Sequence, residues 1–129
     1  MSSLLTYFAL LGPRTPAITV VPVGGATNQP GINDLYDTEV SLDVEIAGGA
    51  APGASLAVYF APLSEAGFIE GFATAIHDKV NRPSVLSVSW ALAECEFFGS
   101  PLFVAELNEL FKEAAVSYTH LTLPTNREV

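Results

Sequence analysis

The chain has 129 residues, half of them hydrophobic, and carries 14 acidic against 5 basic side chains for a formal charge of −9 at pH 7. That balance argues against nucleic acid and against anionic membrane surfaces as partners, because both are held by clusters of Lys and Arg. No apolar run reaches the roughly 20 residues of a membrane-spanning helix, and the single cysteine, Cys95, excludes an internal disulfide and a cysteine-rich metal site.

The composition fits one soluble globular piece, along which helices and strands alternate. Ser3 to Gly12 reads as a short helix over Leu4–Leu11 that stops at Gly12-Pro13. Ala17–Val23 follows as a strand, and Gly24 to Asn33 as a loop rich in Gly, Asn and Pro. Gly24-Gly25 after a strand is a weak sign of a phosphate cradle, since neither a G-x-G-x-x-G nor a G-K-[ST] pattern accompanies it.

The next segment, Asp37-Thr-Glu39-Val-Ser-Leu-Asp43-Val-Glu45, places two acids four residues apart. On a helix Glu39 and Asp43 stack on one face with roughly 5–6 Å between their Cβ atoms, close enough to share or relay a proton. Such a pair suits proton transfer at acidic pH. The same residues admit a strand, because Val40, Leu42, Val44 and Ile46 alternate with polar neighbours. There the two acids would stand roughly 13 Å apart as solvated charges. Flanking signals lean towards helix: Asp34 and Asp37 are N-cap candidates, and Gly48-Gly49 before Pro52 reads as a stop.

A buried strand at Ser55–Phe60, a helix over Ala66–Lys79, a second buried strand at Val85–Ser89 and a last helix over Pro101–Ala115 complete the series. Apolar strands between helices predict a parallel sheet covered on both faces. Ser87-Val-Ser89-Trp90 closes a strand at the end where open α/β sheets bind ligands. Ser89 and Trp90 are therefore candidates for contact with substrate, with plain packing as the other role open to Trp90. His77, near a helix C-terminus, fits capping or packing better than chemistry. Glu94 and Glu96 fit rim charges, and no motif supports a thiol site built on Cys95 and His77.

Several segments resemble, in order, the sedolisin family of serine-carboxyl peptidases, most closely its kumamolisin-like members. They are Glu39-Val-Ser-Leu-Asp43-Val-Glu-Ile-Ala-Gly48 continuing through Ala51 to Pro62, Ala66-Gly-Phe-Ile, Ala75-Ile-His-Asp78, and Arg82-Pro-Ser-Val-Leu-Ser-Val-Ser-Trp90. The resemblance runs from Leu5 to Ala115 and implies an α/β, subtilisin-like fold, here partial, with a parallel sheet flanked by helices. It implies Glu39 as the general base beside a nucleophilic serine and Asp43 as the partner that orients and charges it, with a polypeptide as substrate. A carboxylate base accepts protons where histidine is already protonated, which confines the chemistry to acidic pH. Asp37 and Glu45 fit capping and a solvated face, with no catalytic role.

The family's serine lies in a Gly-Thr-Ser motif and its oxyanion-stabilising Asp in a Ser-Gly-Asp segment. Neither occurs in these 129 residues. The calcium loops implied for the full-length family also come later, so no cofactor or metal site is expected in this chain. Where the family has glycines after the Trp90 strand, Ala91 and Leu92 stand instead and add side chains along the substrate edge.

Residues 1–115 are therefore expected to be the N-terminal part of a peptidase catalytic domain, inactive alone, whose partner is the missing remainder of that domain. Val116-Ser-Tyr-Thr-His-Leu-Thr-Leu-Pro-Thr125 resembles the in-frame translation of a transposase-type sequencing adapter, so 116–129 is expected to be a non-native tail. The resemblance implies secretion, although no signal peptide is recognisable at Met1, which is expected to fall mid-domain. The contrasting expectation is a complete, flavodoxin-like α/β binding module with Glu39 and Asp43 as surface charges, which would unfold in one sharp transition. A slice of a larger domain would instead be poorly stable, with unpaired strand edges and uncovered apolar faces.

Overall fold

A computed structural model describes residues 2–12, 15–90, 101–117 and 120–122. The expectations attached to Pro13, Ala91, Leu92, Glu94, Cys95 and Glu96 lie outside these residues. The elements run α1 (Ser2–Leu11), β1 (Ala17–Pro22), α2 (Asp34–Ala50), β2 (Ser55–Phe60), α3 (Glu65–His77), β3 (Val85–Ser87), α4 (Pro101–Val116) and β4 (His120–Thr122). The chain divides into two compact units rather than the single piece expected from composition: residues 1–22 with 27–60, and residues 23–26 with 61–129. Each helix finds its helical partner inside its own unit, α1 with α2 and α3 with α4.

In the first unit β1 and β2 run parallel, in register from Ala17 opposite Ser55 to Pro22 opposite Phe60. The pairing is parallel, as expected of an α/β fold, and among the described residues it forms two two-stranded ladders, β1 with β2 and β3 with β4. Among the described residues each strand thus has a single neighbour, and β2, expected to be buried, is only half-buried along most of its length. A parallel strand becomes fully buried only when both faces are covered and both edges paired.

The core of this unit is a close approach of α1 and α2. Phe8 is 1% exposed, and its ring meets Tyr7 edge-on at 5.3 Å between centroids. A methyl group at Gly48 would lie 2.5 Å from Phe8 Cε1 and Cζ and 2.9 Å from Pro16 Cγ. Gly48 is therefore the position that lets the Phe8 ring reach the α2 backbone.

This corrects the expected helix stop at Gly48-Gly49: α2 runs through both glycines to Ala50. The terminator is Pro52, which keeps the residue before it out of helical conformation. Ala51 has φ −129 and ψ 66, its N–H bonds to the Ala47 carbonyl, and Ala54 N–H then closes a turn onto the Ala51 carbonyl at 2.9 Å.

At the other end the N-cap is Asn33, not Asp34 or Asp37. Asn33 Oδ1 accepts the N–H groups of Leu35 and Tyr36 at 3.0 and 3.2 Å. Asp34 and Asp37 lie inside the first turn, where an acid is favoured by the helix dipole. Asn33→Ala is expected to cost about 1 kcal/mol, the usual loss on removing a side-chain cap. A lowered urea midpoint with unchanged slope would register it.

In the second unit Ser64 caps α3, its Oγ accepting the Gly67 N–H at 3.1 Å. Buried Phe103, Leu110 and Ala114 of α4 and Ala75 and Ile76 of α3 supply the apolar interior, and Phe72 meets Phe111 edge-on at 5.5 Å. His77 ends α3 with Nε2 3.1 Å from Glu113 Oε2 of α4, an exposed link between the two helices. Gly24 and Gly25, at φ +56 and +79, are the centre of a tight turn closed by Ala26 N–H on the Val23 carbonyl at 2.9 Å. No helix starts there, so this turn lacks the geometry of a phosphate cradle.

The strand expected over Val85–Ser89 is paired only over Val85–Ser87, because its ladder with β4 has three residue pairs, Val85 with His120 to Ser87 with Thr122. β4 falls within residues 116–129. Strand pairing is made by main-chain groups and places few demands on sequence. Among the described residues no helix is long and apolar enough to cross a membrane.

Candidate active site

Residues 34–50 form a continuous helix, so of the two conformations open to the acidic segment the helical one is adopted. Alternating Val, Leu and Ile side chains favour a strand locally, but the Asn33 cap, the acids of the first turn and the packing of Val44 and Gly48 decide otherwise. With a rise of about 1.5 Å per residue, Glu39 and Asp43 stand on successive turns about 6 Å apart along the axis.

The packed stripe of α2 is Val40, Val44 and Gly48, with Val44 and Gly48 buried. Glu39 and Asp43 lie on one flank of that stripe, as the 3.6-residue period requires, and Glu45 lies on the other. All three acids are half-buried. Both carboxylates of the pair therefore stand on the same side of α2, one turn apart and partly open to solvent.

Away from the packed stripe, Leu35, Leu42 and Ile46 are 71%, 46% and 59% exposed, an apolar strip along the open side of α2. Solvent-facing helix positions ordinarily carry polar residues.

Ser89 and Trp90 follow β3 in the second unit, and both are half-buried. Of the four candidate site residues, the structure brings together Glu39 and Asp43 on one helix. Ser89 and Trp90 follow two and three residues beyond the end of β3. Among the described residues, no group of three or more His, Cys, Asp or Glu is arranged to hold a metal ion.

Two features near the acidic pair were not read from sequence. One is the Asn33 cap, which an Asn directly before an apolar-periodic segment could have signalled. The other is a hydrogen bond from the Gly31 N–H to Asp37 Oδ2 at 2.5 Å. Nothing local in the sequence announces it, because it depends on how the preceding loop folds back.

No family model matches the chain. Over 115 residues, 88% of this chain, it is 47% identical to kumamolisin of Bacillus sp. (strain MN-32), and it spans 20% of that protein's length.

Proposed function

Because this chain is a kumamolisin-like relative in the sedolisin family of peptidases, we propose that it forms the part of a serine-type endopeptidase domain that carries the general base, Glu39, and its partner, Asp43. The observation that carries this reading is the helical conformation of residues 34–50, which stacks the two acids on one face within the segment of family resemblance. The exposed strip of Leu35, Leu42 and Ile46 supports it as well, since a larger domain would cover that side of α2.

In the proposed mechanism the serine hydroxyl, supplied by the remainder of the domain, attacks the scissile carbonyl of a polypeptide while its proton passes to the Glu39 carboxylate. Asp43, one turn away, shares the added proton and so limits the cost of protonating Glu39. When the tetrahedral intermediate collapses, Glu39 returns the proton to the departing amine, and a water molecule repeats the cycle on the acyl-enzyme. A carboxylate can act this way only while ionised, yet its protonated form is strong enough to protonate the leaving group in acid. Ser89 and Trp90 are proposed to contact the extended substrate. No step is routed through calcium. The parent enzyme is proposed to act outside the cell.

The test uses denatured protein as substrate at acidic pH. This chain alone is expected to give no cleavage, and the same chain continued into the complete catalytic domain with its serine is expected to cleave. Turnover by the chain alone would contradict the reading.

A further inference from the structure

Asp37 was expected to fit capping or a solvated face; it is not the N-cap, and its carboxylate, at an exposed site, takes a specific partner. Asn33 takes the cap, and Asp37 Oδ2 reaches back six residues to accept the Gly31 N–H at 2.5 Å. Gly31 has φ +87, in the left-handed region that side chains avoid, so the loop turns at the residue that Asp37 holds. Asp37 also donates its own N–H to the Asn33 carbonyl at 2.9 Å. The loop is thus fixed to the first turn of α2 at two points, Asn33 through the cap and Gly31 through the carboxylate.

The position of this clasp matters because helix ends open first. Glu39 is the sixth residue of α2, directly after the turn that Asn33 and Asp37 tie down. From this geometry we infer that Asp37 is a positioning residue for Glu39: by clasping the Gly31 amide it locks the first helical turn and holds the Glu39 carboxylate where it can take the serine's proton. The inference rests on Glu39 being the base. An ionised acceptor makes a stronger bond than a neutral one, which suits an acid to the task. An asparagine at 37 would keep an acceptor oxygen without the charge.

The test compares Asp37→Ala, Asp37→Asn and Glu39→Gln in the complete catalytic domain, with amide exchange followed in this chain. For Asp37→Ala the Gly31 and Leu35 amides are expected to exchange about tenfold faster, and kcat to fall roughly tenfold with KM unchanged, because the loss is one of alignment. Asp37→Asn is expected to restore most of both. The inference is overturned if kcat of Asp37→Ala stays within about twofold of the parent, or if Asp37→Asn keeps Gly31 protected but loses kcat. Should Asp37→Ala not fold, Asp37→Asn decides alone: protection and kcat retained together support the clasp, and kcat lost with protection intact sinks it. Glu39→Gln separates this inference from the one beneath it. An active Glu39→Gln variant removes the base assignment, whereas an inactive one beside an unaffected Asp37→Ala removes only the clasp.

Discussion

Glu39→Gln in the complete catalytic domain is expected to lower kcat by about three orders of magnitude, the scale of a lost general base, with little change in KM. The amide has nearly the size and shape of the carboxylate, so packing on the flank of Val40 and Val44 is preserved while the proton acceptor is lost. The limb of the pH profile set by ionisation of a carboxylate base should disappear in the variant. Asp43→Asn should cost less, because in the proposed mechanism Asp43 acts through Glu39 rather than on the serine. Steady-state kinetics on a peptide substrate measure both variants. A Glu39→Gln enzyme that retained even about a tenth of its activity would remove Glu39 from the role of base.

Gly48→Ala is expected to destabilise the chain by about 1–3 kcal/mol through overpacking. Helix propensity gives the opposite sign, since glycine inside a helix ordinarily costs roughly 0.5–1 kcal/mol relative to alanine. Packing decides the outcome: the new methyl would lie 2.5 Å from two atoms of the Phe8 ring, and Phe8, 1% exposed, has no room to retreat. Gly49→Ala is the matched control. Its nearest neighbour would be Leu11 Cδ1 at 3.5 Å, an ordinary contact, so there the propensity gain should survive as higher stability. Phe8→Leu in the Gly48→Ala background should recover part of the loss. Urea unfolding of the variants reports the signs, and a stabilising Gly48→Ala would show that α1 does not pack as closely on α2 as described.

The order and type of the elements from α1 to α4 were legible because each rests on local patterning, whereas β4 was not expected. β2 occupies Ser55–Phe60 as expected, α3 differs from its expected span by one residue at its start and two at its end, and α4 extends one residue beyond Ala115. Their stops and starts were less legible. Gly48-Gly49 looks like a helix stop until Phe8, forty residues away from Gly48 in sequence, is seen to require the missing side chain at Gly48. Likewise Asp37 looks like a cap until the loop before it is seen to fold back onto the carboxylate. The sheet departed further, because how many strands pair, and for how long, depends on contacts between distant segments that periodicity does not encode.

The candidate site divides in the same way. The residue types and the four-residue spacing of Glu39 and Asp43 stand in the sequence, and so does the family likeness that gives them proposed roles. Whether that spacing meant neighbours or solvated charges roughly 13 Å apart did not. The two-residue alternation of Val40, Leu42, Val44 and Ile46 fits a strand as well as a helix. Only the cap at Asn33, the packing of Gly48 on Phe8 and the loop tied to Asp37 settled the matter in favour of helix. Composition and local order determined which acids are present and on which segment. Tertiary contacts determined that they stand one helical turn apart, because a short amphipathic stretch takes the conformation that its neighbours bury.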